Sequence, residues 1–387
     1  MNHSSSRREF LTAGVAAGVT GFWSPRARTA AYSDPVPHLH HRILGRTGLK
    51  VTALGFGCAF TPDASVIERA ADLGINYFDT APVYQQGNNE RLVGVGLKRK
   101  RKDVILSTKT EADDKPQALK SLENSLRELG TDYLDIWYLH ARQTPESVKD
   151  DLLEAQQVAK QQGKIRFTGA STHAAKTLVP TLIQKGCIDV VLATYNFSMD
   201  PGVGAALAQA NQAGLGVLGM KVMAGGYRKL VPGEPASRQL KSNAALLAAL
   251  KWVMKNPNVH SSVTSITDMD QLDEDFRAMS EPFGPADDKL LAEHLQYLTP
   301  LYCRMCGECE GKCAKNLPVA DILRHLNYAD GYGQFVAGRE GFLKLGPEVA
   351  SVRCSDCGHC TVECPSGVHV SARLRRAQEI FANHLAT

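Results

Sequence analysis

Short apolar runs alternate with longer segments of helical periodicity between residues 42 and 285. The short runs are rich in β-branched and aromatic residues, a composition that predicts strands. An amphipathic segment follows each run, so the chain is predicted to repeat a β-then-α unit. Eight strands are predicted, at Ala53–Cys58, Tyr77–Thr80, Val104–Thr108, Tyr133–His140, Ile165–Ser171, Val190–Asn196, Gly216–Val222 and Ser262–Ile266.

Eight β-then-α units over about 240 residues match a (β/α)8 TIM barrel in number and length. A preceding hairpin, Arg42–Val51 with its turn at Thr47-Gly48, is predicted to close the barrel floor. The stretch Tyr227–Lys241, rich in Gly, Pro and charge, is predicted as a mobile loop over the mouth. The predicted helices are Ala64–Leu73, Glu90–Leu97, Gln117–Leu129, Glu146–Gln161, Lys176–Lys185, Gly204–Ala213, Asn243–Lys255 and Met269–Met279.

A doubly wound open sheet is the alternative for alternating β and α units. It requires a glycine-rich phosphate turn between its first strand and the following helix. The one G-x-G-x-x-G match, Gly214–Gly219, lies within a predicted strand and does not open a helix. The barrel is therefore the preferred fold.

Eight of the ten cysteines lie near the C-terminus in two runs with the same spacing, C-x2-C-x2-C-x3-C. Four thiolates bind one [4Fe–4S] cluster, and in the bacterial ferredoxin arrangement the fourth cysteine of each run binds the other cluster. Structural zinc uses paired knuckles with four ligands in total, and disulfide frameworks belong to small secreted domains. The predicted ligand sets are Cys303, Cys306, Cys309 and Cys364 for one cluster, and Cys354, Cys357, Cys360 and Cys313 for the other.

The two cysteine runs repeat with an offset of 51 residues, and each is followed by a helical segment, Val319–Leu326 or Val370–Phe381. This organisation predicts a mostly α-helical, ferredoxin-like domain over residues 295–387. The barrel is predicted over residues 42–285. The chain is thus an α/β barrel protein with a smaller iron–sulfur domain.

The N-terminal 31 residues contain Arg7-Arg8-Glu9-Phe10-Leu11, an apolar stretch that ends at Trp23, and two further arginines. This pattern resembles a bacterial twin-arginine signal, and its apolar part is too short to span a bilayer. We expect export to the periplasm as a folded protein, with no transmembrane span in the mature chain. The alternative is a disordered or membrane-surface N-terminus.

The formal net charge of the chain is +4, and without residues 1–31 it falls to +1. Nucleic-acid binding proteins concentrate basic residues in a patch or stripe. The remaining sequence has no such stripe, so a nucleic-acid partner is not expected.

Polar residues occur at the predicted carboxyl ends of successive strands, where TIM barrels keep their active sites. Asp79 ends the second strand, Lys109 the third and His140 the fourth, and Tyr84 follows Asp79. A lysine near Tyr84 would lower the pKa of the phenol, and Asp79 would hold that lysine charged. Tyr84 could then protonate a carbonyl oxygen while His140 orients the carbonyl. Individually, each residue also has an ordinary structural explanation, as a helix cap, a core histidine or a solvated charge.

Several segments resemble the aldo-keto reductase superfamily: Leu44–Val51, Phe78–Ala81, Asn89–Gly94 and Asp132–Asp135. The similarity extends over most of residues 42–280. It implies a TIM barrel that binds NAD(P)H and reduces aldehydes or ketones, with a catalytic tetrad at Asp79, Tyr84, Lys109 and His140. A branch of the family carries C-terminal ferredoxin-like clusters, and this chain is similar to that branch.

The resemblance also implies a nicotinamide dinucleotide site, which this sequence matches less well. Ser171 is retained, but Thr172 and Leu192 replace a family Asn and Gln, and Gln271 replaces an arginine that grips the 2′-phosphate of NADPH. Glutamine cannot replace that charge, so the choice among NAD, NADP and neither stays open. The implied cofactor contacts are Ser171, Thr172, Asn196, Lys221, Gly225, Gly226, Ser265 and Gln271.

Three functional hypotheses follow from the sequence. The first is an oxidoreductase that interconverts a small carbonyl compound and its alcohol. The second is an electron-transfer protein, with a redox partner protein, whose barrel no longer catalyses nicotinamide-dependent reduction. The third is a ligand-binding module with inert clusters. Nicotinamide passes two electrons as a hydride while each cluster passes one, so any exchange between them needs an intermediary.

Overall fold

The computed structural model describes residues 39–226 and 236–382, and its main feature is a closed barrel of eight parallel strands. All eight predicted strands are confirmed, each within two residues of its predicted start. The strands are β3 Leu54–Gly57, β4 Tyr77–Asp79, β5 Ile105–Thr110, β6 Leu134–Leu139, β7 Ile165–Thr172, β8 Val190–Thr194, β9 Gly216–Met220 and β10 Ser261–Ser265. Around the barrel the order is β3 to β9 in sequence, and β10 pairs with both β9 and β3 to close it.

One helix follows each barrel strand, as the repeated pattern predicts. The helix Lys115–Leu129 illustrates how local sequence sets the bounds: the side chain of Asp114 accepts from Gln117 N at 2.8 Å, and Gly130 ends the helix at φ 64°. These are the usual N-cap and C-terminal glycine signals. The helices are α1 Ala64–Asp72, α2 Asn89–Leu97, α3 Lys115–Leu129, α4 Asp150–Gln161, α5 Ala175–Lys185, α6 Pro201–Gln212, α7 Ala236–Met254 and α8 Met269–Ala278.

The predicted hairpin closes the floor of the barrel. Strands β1 (His41–Ile43) and β2 (Lys50–Thr52) pair antiparallel, and Gly48 adopts a left-handed conformation at the turn. Leu44 is fully buried and packs with side chains of the barrel interior such as Tyr77 and Leu218. The floor is therefore filled with apolar side chains, which leaves the carboxyl ends of the strands as the open end for chemistry.

Two predicted helix starts are wrong by four residues or more. Helix α7 begins at Ala236, so the last part of the predicted loop Tyr227–Lys241 is helical; residues 227–235 of that loop lie outside the described residues. Helix α4 begins at Asp150 instead of Glu146, because Pro145–Ser147 form a separate one-turn 3-10 helix capped by Thr144. The predicted signal at residues 1–31 also lies outside the described residues.

The C-terminal part is helical and has its own apolar core, which includes Leu323, Phe342, Leu374 and Phe381. Its helices are α9 Pro285–Leu298, α10 Val319–Asp330, α11 Phe335–Leu343, α12 Pro347–Ser351 and α13 Val370–Ala382. Both predicted helices are confirmed, as α10 and α13, while α9, α11 and α12 were not predicted. Within residues 39–226 and 236–382, no helix has the length and apolar composition that a membrane crossing needs.

Candidate active site and cluster sites

The four residues predicted for catalysis lie together at the carboxyl ends of the barrel strands. Asp79 is the last residue of β4, Lys109 lies near the end of β5, and His140 directly follows β6. Tyr84 opens a short 3-10 turn between β4 and α2. Neighbouring parallel strands bring their ends to one edge, which is why residues far apart in sequence meet here.

A buried ion pair forms the base of this group. Lys109 Nζ donates to Asp79 Oδ2 at 2.5 Å and to the Thr80 carbonyl at 2.7 Å. Ser107 Oγ donates to the other carboxylate oxygen of Asp79 at 2.8 Å. Burial lowers the pKa of Lys109, but the charge of Asp79 and the hydrogen bond to it outweigh burial, and the net pKa is raised. Lys109 is therefore a fixed cation at neutral pH.

Tyr84 lies directly against this cation. Lys109 Nζ is 4.7 Å from the centre of the Tyr84 ring, and the ring meets that of His140 edge-on at 6.1 Å. Burial raises the pKa of Tyr84 to about 12, and the nearby Lys109 charge lowers it only in part. The predicted effect of the lysine on the phenol is present, but burial dominates. Tyr84 therefore keeps its proton in the resting protein and can act as an acid.

His140 completes the group as a neutral imidazole. Burial lowers its pKa, although Glu111 acts in the opposite direction. Nδ1 of His140 lies 3.3 Å from Glu111 Oε1, in an orientation that forms no regular hydrogen bond. A neutral imidazole beside Tyr84 can bind a carbonyl oxygen without adding a second positive charge.

The backbone around Tyr84 is strained. Gln85 and Gln86, which follow it, have φ angles of 49° and 55°, in the left-handed region that residues other than glycine rarely adopt. Gln85 Nε2 donates to the Thr61 carbonyl at 2.7 Å, and Gln86 Nε2 donates to Glu340 Oε1 of α11 at 2.6 Å. Such strain persists where surrounding contacts hold it and clusters at functional sites.

Three of the predicted dinucleotide contacts are buried and bonded within the protein. The backbone N of Ala141 donates to Ser171 Oγ at 2.8 Å, and that of Ala174 donates to Thr172 Oγ1 at 2.9 Å. The Asn196 amide donates to a backbone carbonyl at 3.0 Å and to a tyrosine hydroxyl at 3.3 Å. These polar groups therefore hydrogen-bond the loops at the mouth of the barrel.

Three further candidates, Lys221, Gly225 and Gly226, are covered by the C-terminal domain. Lys221 Nζ donates to the Tyr328 hydroxyl of α10 at 3.1 Å and lies 4.5 Å from the centre of the Tyr328 ring. Gly331, which follows α10, packs so closely on Gly225 that a Cβ on Gly331 would be 2.0 Å from the Gly225 carbonyl oxygen. This contact leaves no space for a dinucleotide pyrophosphate between Gly225 and Gly331.

The last two candidates lie beyond β10. Ser265 ends that strand and is half-buried. The side chain of Gln271 accepts from Thr267 N at 3.2 Å and donates to Asp268 Oδ2 at 2.9 Å, so it supports the first turn of α8. The barrel fold suggests NAD(P), but among the residues that the structure describes these eight candidates do not form an open dinucleotide site.

Sequence reasoning missed the aromatic residues that cover the mouth. Phe60, after β3, has its ring centre 6.0 Å from those of both Tyr328 and Tyr332. The two tyrosines are four residues apart, one within α10 and one just after it, and Gly331 lies between them. The sequence signal that could have identified them is this aromatic pair next to a glycine, between the two cysteine runs. Its position over the mouth depends on docking of the C-terminal domain, which a sequence pattern does not encode.

The eight cysteines of the two runs form two separate sites, each around a cavity. One cavity is lined by Cys303, Cys306, Cys309 and Cys364, and the other by Cys313, Cys354, Cys357 and Cys360. This is the crossed arrangement that the spacing predicts. No disulfide joins any of these thiols.

The cavities fit [4Fe–4S] clusters by the chemistry of their linings. In the part of the chain that the structure describes, no three potential ligands meet at one point as a single ion would require; four thiols surround a space instead. The backbone N of Met305 also donates to Cys303 Sγ at 3.4 Å, and hydrogen bonds to ligand sulfurs tune cluster potentials. These residues would hold the clusters, which supply one-electron chemistry when bound.

Comparison with known protein families agrees with this two-part organisation. Residues 59–231 match the model of the aldo/keto reductase family, and residues 302–370 match a 4Fe-4S dicluster domain. L-galactose dehydrogenase of Arabidopsis thaliana is 31% identical over 280 residues, which cover 62% of this chain and 88% of the plant enzyme.

Solved structures give the same result for the barrel. The aldo-keto reductase AKR11C1 from Bacillus halodurans, in its holo form, is 26% identical, with a TM-score of 0.56 over 66% of this chain and 96% of its own. The thermostable aldo-keto reductase Tm1743, solved with the inhibitor epalrestat, is 25% identical with a TM-score of 0.55. The match covers 66% of this chain and 99% of the Tm1743 chain.

Proposed function

The chain belongs to the aldo/keto reductase family, and from this premise we propose that it interconverts a small carbonyl compound and its alcohol at Tyr84. The observation that carries the proposal is the buried chain of contacts from Asp79 to Lys109 to the Tyr84 ring. A phenol that keeps its proton beside a fixed cation is suited to protonate a developing alkoxide.

In the direction of reduction, Tyr84 gives its proton to the carbonyl oxygen as the carbon gains a hydride equivalent, two electrons and one proton, from an external reductant. The Lys109 ammonium then stabilises the resulting phenolate, and Asp79 keeps that ammonium in place. His140 hydrogen-bonds the carbonyl oxygen as a neutral donor and orients it toward Tyr84. In oxidation, the same groups act in reverse and Tyr84 accepts the proton.

The experiment is a comparison of Tyr84→Phe with the unchanged protein on 4-nitrobenzaldehyde, with NADH, NADPH or reduced methyl viologen as alternative electron sources. A positioned general acid contributes about 10²–10⁴-fold to rate, so Tyr84→Phe should lose about that much turnover. Tyr297→Phe, an exposed tyrosine on α9, is the matched control. Full activity of Tyr84→Phe would overturn the role of the phenol.

A second candidate is an electron-transfer protein whose barrel no longer uses nicotinamide. The observation that favours it is the covered segment at Lys221 and Gly225, where α10 and Gly331 occupy the space beside the barrel. Calorimetric titration of the cluster-loaded protein with NADH and with NADPH distinguishes this candidate from the nicotinamide-dependent carbonyl reductase. Tight dinucleotide binding would contradict this second candidate.

We propose further that the protein is exported by the twin-arginine route and works outside the cytosol with a redox partner protein. The support is the Arg7-Arg8 pair followed by a short apolar stretch, together with two cysteine sites suited to clusters that are assembled before export. Replacing both arginines by lysine should retain the protein in the cytosol, as cell fractionation would measure. Unchanged export of the double variant would contradict this proposal.

A further inference from the structure

Helix α10 connects one cysteine site to the mouth of the barrel. Near its start, Ala320 and Leu323 line the cavity of Cys303, Cys306, Cys309 and Cys364. Five residues after Leu323, Tyr328 lies on the barrel side and bonds to Lys221. At about 1.5 Å per residue, these two points are about 8 Å apart along the helix axis. A cluster held in that cavity would therefore lie close to the mouth.

The same helix lies next to the proposed catalytic residues. Gln85, which follows Tyr84, donates to the Thr61 carbonyl at 2.7 Å, and the ring centre of the adjacent Phe60 is 6.0 Å from that of Tyr328. Gln86 donates to Glu340 of α11 at 2.6 Å. The C-terminal domain thus forms one wall of the active site.

This wall is aromatic and carries a cation. The rings of Phe60, Tyr328 and Tyr332 are in mutual contact, with centres about 6.0 Å apart. Lys221 has no carboxylate partner among the described residues, and its ammonium lies over two of these rings. A planar, conjugated carbonyl compound matches such a wall, because its faces stack on aromatic rings. Conjugation also lets a carbonyl accept electrons one at a time.

We propose that α10 is the route by which electrons from the cluster sites reach a conjugated carbonyl compound bound between Tyr84 and Tyr328. This inference rests on the proposed carbonyl chemistry at Tyr84 and names its electron source and substrate class. It accounts for a covered dinucleotide segment and a cluster domain docked on the mouth. It also needs no exchange between nicotinamide, which passes two electrons as a hydride, and the clusters, which pass one electron each.

The electrons and protons balance for a quinone. The cluster that each set of four cysteines would hold supplies one electron when bound, so two clusters would supply the two electrons that reduce a quinone to its hydroquinone. One carbonyl oxygen takes a proton from Tyr84, and the other takes a proton from solvent. A second solvent proton restores the Tyr84 phenol. An external one-electron donor protein would return the two electrons to the cluster sites. Because Cys364 and Cys313 cross between the runs, the two cluster sites adjoin and can exchange electrons.

The test follows cluster oxidation without any dinucleotide. Protein verified by iron and sulfide analysis is reduced anaerobically with dithionite, desalted and mixed with 1,4-naphthoquinone in a stopped-flow instrument. Absorbance and electron paramagnetic resonance report the clusters. Hexacyanoferrate(III) serves as a control oxidant that reacts by collision, since Cys306 and Cys360 leave both sites accessible from solvent.

We expect the rate with naphthoquinone to saturate and to fall at least about 10-fold in Tyr84→Phe. Tyr328→Leu should raise the half-saturating concentration about 5- to 10-fold, because one stacking contact is worth about 1 kcal/mol. Rates with hexacyanoferrate should be equal in all proteins. Where Tyr328→Leu does not hold its clusters, Lys221→Met, which keeps the Tyr328 ring but removes its anchor, gives the same comparison.

A rate that is linear in quinone and unchanged in Tyr84→Phe would overturn the inference, because it would mean collision at the exposed clusters. Failure of the proposed carbonyl chemistry gives a different result from failure of the electron route. If Tyr84→Phe loses turnover of 4-nitrobenzaldehyde but not cluster oxidation, only the electron route is wrong. If Tyr84→Phe keeps its turnover of the aldehyde, the carbonyl chemistry itself is wrong.

Discussion

Asparagine at position 79 should destabilise the barrel strongly, although it has nearly the shape of aspartate. The side chains of Asp79 and Lys109 are only 6% and 1% exposed. Asp79→Asn leaves the ammonium buried without its counter-charge, and breaking such a pair from one side costs about 3–5 kcal/mol. Lys109→Met likewise leaves the Asp79 carboxylate buried without its counter-charge, and it should cost a similar free energy of unfolding.

The double variant Asp79→Asn/Lys109→Met removes both charges and should cost less than the sum of the single changes. Residues in direct contact show coupling energies of about 0.5–3 kcal/mol. The measurement is urea unfolding followed by circular dichroism. With a slope of about 3 kcal/mol per molar urea, each single variant should lower the midpoint by about 1 M or more.

The pH dependence gives an independent check. The pKa of Lys109 is raised above its ordinary value of 10.5 in the folded protein. A raised pKa stabilises the fold fully below the unfolded value, and the contribution is lost only as pH rises through the folded one. In Asp79→Asn the counter-charge is gone, and burial then lowers the pKa of Lys109. The buried lysine can lose its proton more easily as pH rises, so the penalty of Asp79→Asn should be largest near pH 6 and shrink toward pH 9. Strictly additive single variants, or a penalty that grows with pH, would refute the reasoning.

Three further predictions concern the C-terminal domain. Cys364→Ser removes the fourth ligand of the first site but none of the second, so iron and sulfide should fall by about half; loss of all iron would contradict the separation into two sites. Burial lowers the pKa of His325 to about 3 and that of His294 to about 4. Because the unfolded chain then binds protons that the folded protein does not, the free energy of unfolding decreases as pH falls below 6.5. Melting temperature should therefore fall from pH 6.5 toward pH 4, and His325→Gln should reduce this dependence, whereas a flat profile would count against buried neutral imidazoles. Gly331→Ala places a methyl group against the Gly225 carbonyl and should open the mouth to NADH or NADPH, detected as tighter binding by calorimetry; unchanged affinity would mean that the contact does not control access.

The barrel was predictable because its information is local. Each buried strand is a short apolar run that a turn or cap closes, and each helix has its own start and stop residues, as Asp114 and Gly130 show for α3. The errors fall where neighbouring residues give mixed signals, at Pro145–Ser147 and before α7. The tetrad was predictable for a related reason, since the ends of successive parallel strands necessarily meet.

The sequence by itself determined the eight-unit barrel, the two cysteine sites and the residues at the strand ends. Spacing alone predicts which four thiols line each cavity, because the fourth cysteine of each run crosses over. Only the tertiary structure decided what faces Tyr84 across the mouth. Tyr328 lies 244 residues further along the chain, and its contact with Lys221 depends on two domains docking. Complementary packing of Gly331 on Gly225 and of Phe60 on the tyrosines determines that docking, and it has no periodic signature in the sequence.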